Sequence, residues 1–132
     1  MLDLKNKQLI FELRKIGLKI SGKQPIVIVQ SSGVTNMGSC ITSLLKPYNI
    51  YFPILSSWRT YSEGDSEVQH AHLAKCLPEL IEAYGYGHIM LDQESEFTAI
   101  EQINQANTSH NIVIMKSGSF SEVQLEDKHK ND

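Results

Sequence analysis

Six residues with side chains suited to binding or transforming a ligand, Ser31, Ser32, Arg59, Asp92, Glu94 and Lys116, stand at or just past the ends of short β-branched or aromatic runs. Brought together, these hydroxyls, cations and carboxylates could hold an anion, orient a hydroxyl or ligate a metal. The order of elements supplies a way to gather them. The runs are Pro25–Gln30, Asn49–Leu55, His88–Asp92 and Asn111–Lys116, and the segments between them read as helical. Strands alternating with helices at this spacing predict a parallel sheet, in which every strand ends at one edge. Ligands of open α/β sheets bind at that edge.

The predicted fold is a single three-layer α/β domain over residues 1–132, with a mostly parallel sheet of four strands, five as the alternative, and helices on both faces. The extra strand would lie near Phe120, Val123 and Leu125, followed by a polar tail over 126–132. Near-continuous apolar runs, Ile26 to Val29 and Ile89 to Leu91, place the first and third strands at the centre. Pro53 places the second at an edge or ends it early, because proline cannot donate to a ladder. Pro78, inside a helical pattern over 67–84, predicts a kink or break.

One candidate anion site is the small polar stretch Ser31, Ser32, Gly33, Thr35, Asn36, Gly38 and Ser39, read as a loop before a helix over 38–46. Free backbone donors at a helix N-terminus stabilise an anion. The stretch lacks Gly-x-Gly-x-x-Gly and the Lys-Ser/Thr pair of a Walker loop, so an ordinary connection with Gly38 or Ser39 near the cap is the alternative. Cys40 then falls in the first helical turn, where the dipole favours a thiolate. A phosphatase-type loop would carry Arg where this chain has Lys46, so a half-buried structural thiol is the better reading. His70 and His72, two positions apart, point about 200° from one another on a helix and cannot share a metal. The pattern puts His72 on the apolar side and His70 in solvent. No catalytic residue, metal site or cofactor is assigned.

Composition narrows the classes further. The chain has 132 residues, 41% of them hydrophobic, two cysteines without zinc spacing, and a net charge of −3. Residues 1–24 carry +4, residues 25–118 carry −5 and the remainder −2. A nucleic-acid binder carries its basic stripe through the domain, so nucleic acid is not the expected ligand. Charges interrupt the N-terminus and no long apolar stretch is present, which predicts a cytoplasmic protein with no membrane partner.

The basic segment 1–24 reads as an amphipathic helix with Leu2, Leu9, Leu13, Ile16 and Ile20 facing the core and a second stripe of Leu4, Phe11 and Leu18. Phe11 and Leu18 are therefore candidates for a partner contact or a homodimer. A long connection after the second strand carries Trp58, Arg59, Tyr61, Glu63 and Asp65. Trp, Arg and Tyr dominate binding hot spots, and acidic neighbours steer a basic partner such as a nuclease. The expected function is a protein-binding module of inhibitor, antitoxin or immunity type, or a regulator. The alternative is an enzyme or sensor of a small phosphorylated ligand or nucleotide at the C-terminal sheet edge.

Overall fold

The computed structural model describes residues 14–59, 68–91 and 96–116. Four parallel strands, β1 (Val27–Gln30), β2 (Ile54–Trp58), β3 (Gly87–Met90) and β4 (Asn111–Lys116), form one sheet in the order β1-β2-β4-β3. Helices α2 (Ser31–Cys40), α3 (Val68–Ala83) and α4 (Glu96–Ala106) connect them, and a helix over 14–20, α1, precedes β1. This is the predicted α/β architecture.

Chain direction decides which helix covers which face. From β1 to β2 and from β2 to β3 the chain moves one way across the sheet, and from β3 to β4 it moves back. Right-handed crossovers then place α2 and α3 on one face and α4 on the other. Core packing follows this division. Val27, Ile54, Ile112 and Ile114 pack with Val34, Ile41, Leu77 and Ile81 from the α2 and α3 side. Leu55 and Val113, the alternate residues of β2 and β4, pack with Ala99, Ile103 and Ala106 of α4. Complete burial of Leu77 and Ile81 stabilises the fold by about 1.5–3 kcal/mol each.

The expected strand order was wrong: β1 and β3 are the edges and β2 and β4 the centre. The apolar run of β1 reflects exposure as much as burial, since Ile26 is 49% and Ile28 69% exposed on the α4 face. Central β2 was obscured by Ser56 and Ser57, although Ser56 is fully buried. Pro53 lies just ahead of this strand and needs only its carbonyl, which accepts the Val27 N–H at 2.9 Å.

Pro78 does not break α3, which runs unbroken from Val68 to Ala83. A proline removes the N–H that would reach the carbonyl four residues earlier, here that of Ala74. The indole N–H of Trp58 donates to that Ala74 carbonyl at 2.8 Å. Tertiary contact thus repairs a local defect.

Helix ends follow local chemistry. Gly85, at φ +75°, closes α3 with a Tyr86 N–H to Ile81 carbonyl bond of 3.2 Å, a glycine-terminated motif. Gly22, at φ +81°, closes α1. Ile16 is buried as expected, whereas Ile20, the last helical residue, is 74% exposed and leaves the proposed core stripe. Beyond α2 the chain widens into a π-helical turn, Ile41–Leu45.

Two predictions follow from these joints. Trp58→Phe should destabilise the protein by about 1–3 kcal/mol in urea melts by orphaning the Ala74 carbonyl, and by clearly less in a Pro78→Ala background, where residue 78 regains its N–H. A Cβ at Gly33 would sit 2.7 Å from Val29 Cβ, whereas one at Gly17 would meet nothing within 4 Å. Gly33→Ala should therefore cost about 1–3 kcal/mol, and Gly17→Ala should gain roughly 0.5–1 kcal/mol.

Candidate functional site

Register fixes the C-terminal edge of the sheet. Gln30 lies opposite Ser57, Trp58 opposite Lys116, and Met90 opposite Ile114, so Arg59 and Lys116 occupy adjacent strand ends. Helix α3 follows β2 to one face and α4 follows β3 to the other, with β4 between them. In open α/β sheets it is at such a divergence, beyond the carboxyl ends of the strands, that ligands bind. Arg59 and Lys116 are both half-buried there.

The stretch 31–39 is helix rather than loop. No connection separates β1 from α2: Gln30 is the cap, in extended geometry, and Ser31 begins the helix. Small polar residues misled the expectation because they weaken helical propensity only modestly, and packing on the sheet overrides it. Ser31, Ser32 and Gly33 therefore form the first turn at the sheet edge, while Thr35, Asn36, Gly38 and Ser39 lie farther along the helix. Thr35 Oγ1 donates to the Ser31 carbonyl at 3.4 Å, and Gly38 is buried against Tyr84. Ser31 is 1% exposed and its hydroxyl has no hydrogen-bond partner. A buried, unsatisfied hydroxyl costs about 1–3 kcal/mol.

The remaining expectations divide. Cys40 ends α2 and leads into the π-helical turn, so it does not sit in a first helical turn where the dipole would favour a thiolate. Trp58 is the final strand residue, half-buried with its indole committed to α3, and not a loop residue. Arg59 follows it, and Leu18 is 39% exposed on α1. Phe11, Tyr61, Glu63, Asp65, Asp92, Glu94 and the fifth-strand residues Phe120, Val123 and Leu125 lie outside the described residues. His70 is half-buried and His72 exposed, the reverse of the predicted pair, because the buried stripe runs through Ala74, Leu77 and Ile81 and position 70 continues it one turn earlier. Among the described residues no three His, Cys, Asp or Glu side chains group to hold a metal. No described helix is long and apolar enough to cross a membrane.

A second cluster, at the opposite end of the sheet, escaped the sequence reading. His110 lies just ahead of β4 between two tyrosine rings, 4.4 Å from Tyr51 and 4.9 Å from Tyr86 between centroids. Its Nε2 is 3.4 Å from the Leu45 carbonyl in the π-helical turn. Burial of Tyr86, with Cys40 and Tyr51 nearby, raises its hydroxyl above the ordinary tyrosine range. Three aromatic residues far apart in sequence carry no common motif, so only the fold unites them.

Burial lowers the pKa of His110 below 6.5, with the Lys46 charge acting in the same direction and the Leu45 carbonyl opposing both. The unfolded chain therefore binds more protons than the folded one just below pH 6.5. This contribution to stability is complete above that value and is lost as pH falls through the folded pKa. Between pH 7.5 and 5, melting temperature should fall less steeply in His110→Phe than in the parent. Parallel pH profiles would rule out this coupling.

No family model matches the chain. Over 89 residues, 66% of this chain, it is 30% identical to the sulfopyruvate decarboxylase of Methanosarcina acetivorans. The matched segment makes up 22% of that relative, so the chain spans about a fifth of its length.

Proposed function

We propose that this chain is the anion-binding α/β portion of a decarboxylase-type enzyme, taking a small 2-oxo acid at the C-terminal edge of its sheet. The observation that carries the reading is the adjacent placement of Arg59 and Lys116 beside the diverging ends of β2 and β3, with the uncapped first turn of α2 on the neighbouring strand. Two cationic side chains on adjacent strand ends suit a small multiply charged anion. Sulfopyruvate, named in the relative, carries a carboxylate and a sulfonate on a three-carbon skeleton. Because the match covers only about a fifth of that enzyme, the reading gives this chain the binding and orienting of the acid rather than the whole reaction.

The protein-binding module of inhibitor, antitoxin or immunity type is the second reading, and one observation favours it: edge strand β1 leaves Ile26 and Ile28 in water. Exposed apolar edge strands invite pairing with another chain. On that reading the contact surface centres on β1 and α1 and not on Trp58, whose ring already serves α3.

Thermal shift separates the two. Sulfopyruvate at one hundred times its dissociation constant should add about 2.7 kcal/mol of stability, a rise of roughly 8–13 °C in Tm for a domain of this size. Arg59→Ala and Lys116→Ala should each reduce that rise. An unchanged Tm across sulfopyruvate, pyruvate and phosphorylated small molecules overturns the anion reading and favours the protein partner.

A further inference from the structure

We infer that the N-terminus of α2 binds a tetrahedral oxyanion of sulfonate or phosphate type, with the Ser31 hydroxyl as a donor beside the backbone N–H groups of the first turn. This deepens the proposed function, resting on it for the identity of the ligand, by assigning one end of the anion to one place.

Two independent features meet at this point. The first is a helix end whose own cap residue supplies no side-chain acceptor. Gln30 caps α2 without a side-chain hydrogen bond, and no acid occupies the first turn. The N–H groups of Ser31, Ser32 and Gly33 have no partner within the helix, and the helix dipole adds positive potential where they point. The second feature is the Ser31 hydroxyl, buried and without a partner. Helical Cα–Cβ bonds tilt toward the N-terminus, so this donor is directed to the same end as the N–H groups of the first turn.

The chemistry of the donors selects the group. Several N–H groups and one hydroxyl converging on a helix axis match the three oxygens of a sulfonate or phosphate. A planar carboxylate is better matched by the fork of a guanidinium, and Arg59 follows the end of the neighbouring strand. Gly33 contributes by having no Cβ. A side chain there would strike Val29, so glycine keeps the first turn pressed onto β1 and its amides at the edge of the sheet.

Sodium sulfate is the probe, titrated at constant ionic strength and followed by amide resonances. The expected result is saturable shifts at Ser31, Ser32 and Gly33. In Ser31→Ala, affinity should fall about tenfold while Tm stays level or rises, since the change removes an unsatisfied hydroxyl. Shifts elsewhere, unsaturable shifts, or an unchanged affinity in Ser31→Ala overturns the inference. The amide map of the parent protein decides the matter should the variant fail to fold. If sulfopyruvate raises Tm while sulfate leaves the α2 amides unmoved, this site is wrong and the broader reading stands. If sulfate saturates those amides while no 2-oxo acid stabilises the protein, the site stands and the decarboxylase reading falls.

Discussion

A β–α–β connection of fixed hand can lay its helix on only one face once the direction of travel across the sheet is set. This chain reverses direction a single time, after β3. From that reversal come the pairing of α2 with α3 on one face, the isolation of α4 on the other, and the divergence at the carboxyl ends of β2 and β3. Arg59 and Lys116 become neighbours for the same reason, because insertion of β4 beside β2 brings the residue pair Trp58 and Lys116 into register. One face is also left incompletely covered. A helix with its side chains is about 10–12 Å across, and four strands at about 4.8 Å span more than one helix can cover. Leu55 on β2 is buried beneath α4, whereas Ile28, next to it in register on β1, is exposed.

The joint between β2 and α3 adds a second level of dependence. Pro78 would ordinarily weaken a helix by leaving a carbonyl unpaired in a partly buried place. Trp58 supplies the missing donor to Ala74 and packs against the main core. The proline is tolerated because the sheet lies beneath that turn, and the tryptophan is fixed because the proline created an acceptor for it. Holding Trp58 in place also fixes where the chain leaves β2, and so where Arg59 begins.

At the opposite edge the same sheet builds a different environment. His110, Tyr51 and Tyr86 form a tilted aromatic group around a backbone carbonyl, closed in by the π-helical turn after α2. Asn49, at φ 52°, turns the chain there, a conformation that asparagine tolerates better than most residues. Lys46 donates to the Gly85 carbonyl at the end of α3, tying two helix ends together. Arg59, Lys116 and the first turn of α2 therefore gather at one end of the strands and an aromatic lining at the other.

Local chemistry alone determined a good deal about this protein. Alternating β-branched runs and helical periods specified the parallel α/β class. The sheet edge holding Ser31, Arg59 and Lys116 was legible too, since a parallel sheet places strand ends together whatever its order. Tertiary structure decided the rest. Strand order was invisible because exposed Ile26 and Ile28 look the same in sequence as buried isoleucine, and because Ser56 can be buried when its strand is central. The helical state of 31–39 depended on packing against β1 and Tyr84, which outweighs the weak propensity of Ser, Thr, Asn and Gly. The bond from Trp58 to α3 was invisible until the fold brought the Ala74 carbonyl to it, and His110 carried no signal until the fold set it between Tyr51 and Tyr86. Periodicity reports which positions can be apolar on a face, but the partner on that face is chosen only when the whole chain closes its sheet and satisfies its buried polar groups.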